Sequence, residues 1–205
     1  MSQRDPLTTT AAPPSVGPPL PKGDRNANPP GIGFVALLVE DFRNHDSHLS
    51  ELGLWAILVH RFGNWRMGLR PKLVRVPFTI AYRVLYLMVE VATGISLPYT
   101  VRVGRRVRIW HHSGIILHAR GIGDDTQIRQ NTTMGIADTR RLTNIPTIGA
   151  RVEIGCGACI LGAVQIGDDA RIGANAVVLA DVPAGATAVG VPARVVRWAA
   201  KDDAS

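Results

Sequence analysis

At 205 residues the chain has room for one sizeable domain, or for a small domain joined to a repeat domain. Aromatic residues make up only 5% and there are 21 glycines, a composition that suits a β-solenoid better than a packed sandwich. The net charge of +7 fits anionic small-molecule partners, but no run of five basic residues and no basic–aromatic interleaving exists to support nucleic-acid binding.

Residues 1–32 are expected to form a disordered tail. Eight of the fourteen prolines lie there and almost no large apolar residues, so the segment cannot bury enough surface to offset chain entropy. No signal peptide is expected, because no apolar run follows a basic start.

Residues 33–94 read as an α-helical domain. Phe34 to Phe42 is a short helical segment. Asp46 and Ser47 offer capping oxygens to a helix reaching about Met67, with Leu52, Trp55, Ala56, Val59 and Phe62 on one buried face. Pro77 suits the first turn of a further helix with Ile80, Ala81, Val84, Leu85, Met88 and Val91 on one side, ended by Gly94. The apolar stretch from Leu73 to Val91 contains Arg75, Pro77, Arg83 and Glu90. It makes a poor membrane span, and membrane association is not expected.

From Ile122 the chain reads in sixes. Ile122, Ile128, Ile148, Ile154, Ile160, Ile166, Ile172 and Val178 each open a unit. Thr126, Thr132, Val152, Ala158, Val164, Ala170, Ala176 and Val182 follow four places later. A period of six fits neither a helix nor a simple strand. It fits a solenoid in which each unit is one short strand and a turn, and three units close a triangular coil. The opening aliphatic points inward, and Gly, second in most units, is expected at corners of positive φ. Leu97 to Arg120 keep the phase, Gly121 resets it, and a loop at 136–146 interrupts it, so that about five coils result. The coil is expected over 95–194, with a short tail at 195–205.

Two cysteines, Cys156 and Cys159, are spaced as CxxC, but no second pair or nearby histidine completes a metal set. They read as small wall residues of a reduced, cytoplasmic protein, and no metal site is expected. Of six histidines, His60 falls among helical core positions and reads as structural. His111 and His112 sit together in an early coil beside Trp110, facing outward, and histidine is the natural base near neutral pH.

The hexad ladder, with its closing stretch Gly190-Val191-Pro192-Ala193-Arg194, resembles the hexapeptide-repeat acyltransferases, which form left-handed parallel β-helices. A helical domain followed by the coil is similar to the serine acetyltransferase branch. There a stretch of the form DHATGIVV carries the general base, and it matches Trp110 to Leu117 here. The resemblance implies an acetyl-CoA-dependent O-acetyltransferase with no permanently bound cofactor and with His111 as base, His112 being the backup. It implies an acceptor contact at Asp46, and Trp110 and His112, on either side of the base, are the further acceptor candidates. Donor contacts fall on Gly135, Cys156 and Gly157 along the wall, Arg171 and Ala174 nearer the nucleotide, and Pro192, Ala193 and Arg194 on the closing stretch.

The chain departs from that branch at three site positions. Ser96 stands at the aspartate that orients the base, Trp110 at an aspartate beside it, and Ile145 at a loop histidine. The base remains while most of the amino-acid-reading set is changed. The acceptor is then either serine, which implies cysteine biosynthesis, or the hydroxyl of a sugar or exopolysaccharide precursor. A non-catalytic structural β-helix is the remaining alternative. The resemblance further implies a homotrimer or dimer of trimers.

Overall fold

The structure, a computed structural model, describes residues 23–196. Three helices come first: α1 (Phe34–Asn44), α2 (Leu52–Trp65) and α3 (Lys72–Thr93), with a single 3-10 turn at Arg66–Gly68. Short strands then follow in threes. The first coil holds β1 (Ile95–Ser96), β2 (Arg102–Val103) and β3 (Arg108–Ile109). The second holds β4 (Ile115–Leu117), β5 (Gly121–Ile122) and β6 (Gln127–Ile128). The third holds β7 (Thr133–Gly135), β8 (Thr147–Ile148) and β9 (Glu153–Ile154). The fourth holds β10 (Cys159–Leu161), β11 (Gln165–Ile166) and β12 (Arg171–Ile172). Finally come β13 (Val177–Val178), β14 (Thr187–Gly190) and β15 (Ala193–Val196).

Each strand pairs in parallel with its equivalent one coil away, which builds three flat faces: β1-β4-β7-β10-β13, β2-β5-β8-β11, and β3-β6-β9-β12-β14. On the third face β15 folds back antiparallel on β14. Two-residue strands make few hydrogen bonds each, so the interior stack carries the fold. Ile109, Ile128, Ile154, Ile172 and Ala188 stand in register through the coil, and no residue of this core is more than 5% exposed. Each such aliphatic contributes roughly 1.5–3 kcal/mol by leaving water.

The hexad glycines serve a different purpose from the one their spacing suggests. Gly123, Gly149, Gly155, Gly167 and Gly173 all have ordinary φ. They are glycines because successive coils touch there: a Cβ on Gly155 would sit 2.5 Å from the Ala174 backbone nitrogen. Positive φ falls two places later, on Asp125, Arg151, Gly157, Asp169 and Asn175. Asp and Asn tolerate that conformation better than other side chains.

The helices seal the lower end of the coil. α2 packs on β1 and β3, and Gly53 lets its backbone close onto the Ile109 carbonyl. Beneath it lies a buried ion pair. Arg61 Nε donates to Asp41 Oδ2 at 2.9 Å, with both side chains fully buried. Its other nitrogens donate to the carbonyls of Val103 (2.7 Å) and Gly104 (2.6 Å). Burial raises the Asp41 carboxyl above its ordinary value, against the pull of Arg61, yet a guanidinium cannot give up its proton, so the pair is ionic at neutral pH. His60 is buried as well, with Nε2 donating to the Val101 carbonyl at 2.8 Å, and burial pushes its pKa down to about 3.

Four expectations for the helical region need correction. Asp46 and Ser47 do not cap α2. Both have positive φ, the N-cap is Glu51, and it makes no side-chain capping bond. α2 is buried on more than one face, through Gly53, Leu54, Ile57, His60, Arg61 and Asn64, whereas Trp55 is 39% exposed. Pro77 lies inside α3, not in its first turn, and Gly94 closes that helix at φ 67°. The apolar stripe of α3 faces outward; Tyr82 and Thr93 are its buried residues.

The predicted disordered tail falls mostly on residues 1–22, outside the described residues. From Gly23 on, the chain is held: the Ala27 amide donates to Asn64 Oδ1 and the Asn28 side chain to the Arg61 carbonyl. Of the expected C-terminal tail, Val195 and Val196 belong to β15, and the rest lies outside the described residues.

Candidate active site

The corner between β3 and β4 gathers three residues at positive φ, two of them not glycine. His111 has φ 62° and Ser113 φ 85°, followed by Gly114 at φ 63°. Left-handed conformations at non-glycine residues cost on the order of 1–3 kcal/mol each and cluster where a side chain must be aimed. The bend is tied down on both sides. The Ser113 amide donates to the Thr93 carbonyl at 2.8 Å and the Ile115 amide to the Gly94 carbonyl at 3.0 Å, so the end of α3 sets its position. His111 and His112 project outward and are exposed. Among the described residues, no hydrogen bond or ion pair reaches either imidazole.

Ser96, at the place of an orienting carboxylate, is engaged elsewhere. Its Oγ lies 3.0 Å from the Tyr86 hydroxyl, which is 3.4 Å from Glu90 Oε1. Burial raises the Tyr86 phenol above its ordinary value, so it stays protonated and able to donate.

The acceptor candidates Asp46 and Trp110 are brought together by a residue the sequence reading did not single out, Arg108. Its guanidinium takes both carboxylate oxygens of Asp46, one at 3.0 Å and the other, through Nη2, closer still. It also lies 3.6 Å over the Trp110 ring. The indole N–H donates to Gln127 Oε1 at 2.7 Å. The Arg108 hydrogen bonds hold the Asp46 carboxyl below its ordinary value. Asp46 is therefore an anion already matched to a cation. Arg108 could have been found by counting coils: Arg108, Gln127, Glu153, Arg171 and Thr187 stand in register on the outer side of one face. The inserted Gly121 and the loop at 136–146 hide that alignment in the linear sequence.

A cleft of about 370 Å³ runs along this face, lined by Trp110, Gln127, Arg129, Glu153, Gly155, Arg171, Gly173 and Val189. It brings Trp110 and Arg171 into one site. Arg171 is exposed, with Glu153 Oε1 3.8 Å away. Cys156, Gly157 and Ala174 lie in the turns bordering the cleft. Gly157 has φ 72°, and its Cβ position is taken by Asn175 Oδ1. Pro192, Ala193 and Arg194 belong to the β14–β15 hairpin at the top of the same face. Gly135 does not join the cleft; it ends β7, next to the loop at 136–146. That loop borders a separate cleft of about 510 Å³ with Asp138, Arg141, Leu161 and Leu179. Ile145, at the position of the branch's loop histidine, is half-buried and offers no polar atom.

A three-faced coil of hexads under a helical cap is the architecture of a hexapeptide-repeat transferase, and residues 145–180 match the family described as bacterial transferase hexapeptide (six repeats). A serine acetyltransferase of Helicobacter pylori strain J99 is 37% identical over 145 residues, which cover 70% of this chain and 81% of that protein. The soybean serine acetyltransferase apoenzyme superposes with a TM-score of 0.67 at 30% identity, covering 80% of this chain and 69% of that one. A serine acetyltransferase solved in complex with CoA gives 0.61 at 30% identity, covering 80% and 68%. The chain belongs to the serine acetyltransferase family.

Proposed function

We propose that this protein transfers the acetyl group of acetyl-CoA directly to an acceptor hydroxyl, with His111 as general base, on a left-handed β-helix of the kind its relatives form. The observation that carries this reading is the His111 imidazole: exposed, without a partner among the described residues, and set at a positive-φ corner one residue after Trp110, which lines the cleft with Arg171. His111 accepts the hydroxyl proton as the oxygen attacks the thioester carbonyl. The tetrahedral oxyanion collapses, the CoA thiolate leaves, and it takes the proton back from the imidazolium. Arg171 offers charge to the CoA phosphates, and the small residues at Cys156, Gly157 and Ala174 let pantetheine approach the wall. Among the described residues no group orients His111, which supports a site completed between copies in a trimer. Two free thiols, Cys156 and Cys159, suit a reducing cytoplasm.

The names of the relatives support serine as acceptor, and a soybean serine acetyltransferase has been solved in complex with serine. One observation favours a second reading, a saccharide acceptor. The Asp46 carboxylate, at the position of the branch's acceptor aspartate, is taken here by Arg108, and Arg108 is stacked on Trp110. An ammonium would have to displace a bidentate guanidinium, whereas a neutral sugar would not.

The test is CoA release from acetyl-CoA with L-serine beside a panel of sugars and sugar nucleotides. Turnover with serine establishes the first reading, and turnover with a saccharide alone the second. Silence with every acceptor, together with no binding of acetyl-CoA, refutes both.

A further inference from the structure

The outer side of α3 is apolar along its whole length and is uncovered by any of the described residues. Leu73, Ile80, Val84, Leu87, Met88 and Val91 recur at helical spacing and are between 53% and 81% exposed. Twenty-two residues at 1.5 Å each make a stripe about 33 Å long, more than an isolated surface Leu or Val requires. Among the described residues it is the one helix long and apolar enough to cross a membrane by length and composition. Its inner side rules out crossing. Tyr82 is buried against the helical region, and Phe78 meets the Trp65 ring edge-on at 5.6 Å.

The charge around this stripe has one sign. From Leu52 to Val89 the chain contains no Asp or Glu. Arg70, Lys72 and Arg83 are exposed on or beside α3, and none of them has a carboxylate partner among the described residues; Arg75 is half-buried and lines a cleft shared with Asp24. Glu90, the acid of this helix, is half-buried beside the Tyr86 hydroxyl.

We propose that α3 lies in the plane of an anionic lipid surface, its apolar side in the acyl boundary and its basic residues among the headgroups. An in-plane helix is distinguished from a spanning one by this division: one wholly apolar side, cations at its border, and a second side committed elsewhere. A second copy of the chain fits less well. Copies packed with α3 parallel set Arg83 beside Arg83 and Lys72 beside Lys72. Antiparallel copies offer those cations only Glu90. Anionic headgroups satisfy the three exposed cations, Arg70, Lys72 and Arg83, together. The inference is independent of the acetyl-transfer reading and says only where the enzyme works.

The experiment is flotation of the full chain with vesicles of phosphatidylcholine alone and of phosphatidylcholine mixed with phosphatidylglycerol. Flotation is expected with the anionic vesicles and is expected to weaken with added salt. Lys72→Gln and Arg83→Gln should each weaken partitioning by about fivefold, the usual scale for one basic residue at such a surface. Ile80→Glu with Leu87→Glu should abolish it. These positions touch no core, and an unchanged melting curve confirms that the variant is folded. Three results overturn the proposal: no flotation of the parent chain, equal flotation on neutral vesicles, or full flotation of the folded double variant. If the parent does not float and the double variant lowers the mass of the assembly in sedimentation, the stripe is a contact between copies.

Discussion

Replacing Asp41 by Ala tests what holds the helices to the coil. In the parent the Arg61 guanidinium is fully buried and makes four bonds, two to Asp41 and one each to the carbonyls of Val103 and Gly104. Removing the carboxylate keeps the two carbonyl bonds but strands a charge that cannot neutralise itself. Breaking such a buried pair costs about 3–5 kcal/mol. For a chain of this size each kcal/mol lowers Tm by about 2–4 °C, so a fall of roughly 6–20 °C follows. Adding Arg61→Met removes the stranded charge but leaves the Val103 and Gly104 carbonyls without that donor, so it should recover part of the loss and not all of it. Urea unfolding followed by tryptophan fluorescence measures all three proteins, since Trp55 and Trp65 both lie on α2. The reasoning fails if Asp41→Ala stays within about 1 kcal/mol of the parent, or if the double variant is the less stable of the two.

Three further outcomes are expected. His111→Ala should lower kcat by about 100- to 10,000-fold without altering the melting curve, and retained turnover would move the base to His112. Acid should destabilise the protein through His60: its folded pKa of about 3 lies below the ordinary 6.5, so its contribution is complete above pH 6.5 and is lost as pH falls. One pH unit below that value the loss is about 1.5 kcal/mol, seen as a melting-point slope that His60→Gln should flatten. His45, its pKa lowered by burial, acts in the same direction. Gly157→Ala should cost about 1–2 kcal/mol in a thermal melt, since φ is 72° and Asn175 Oδ1 occupies the Cβ position; an unchanged Tm would mean that the corner relaxes freely.

The coil was legible because its period survives two interruptions, and because Ile128, Ile154 and Ile172 can be aligned by counting. The role of the hexad glycines was not legible. A period shows that Gly recurs, but the closeness of successive coils at Gly155 and Ala174 is a distance, and linear order carries no distances. The side of α3 that faces the protein was hidden for a related reason. Its apolar stripe is the stronger pattern, yet the inward positions are held by Tyr82 and Thr93, which contribute less to that pattern. The site shows the same limit. Asp46 and Trp110 were chosen by position and do converge, but through Arg108, which lies 62 residues from Asp46 in sequence. Asp46 looked like a helix cap because capping is a local rule, and its actual partner is distant.

The final strand bears on how the molecule ends. Stacked parallel coils form a template whose last edge would accept another parallel strand, the route by which solenoids grow into filaments. On the third face that edge belongs to β14, and it is already filled by β15 running the opposite way. A further copy arriving there meets β15 in place of a parallel edge, while β3 at the other end is packed against α2. Along that face the parallel ladder is therefore interrupted at both ends, which works against end-to-end growth of the repeats.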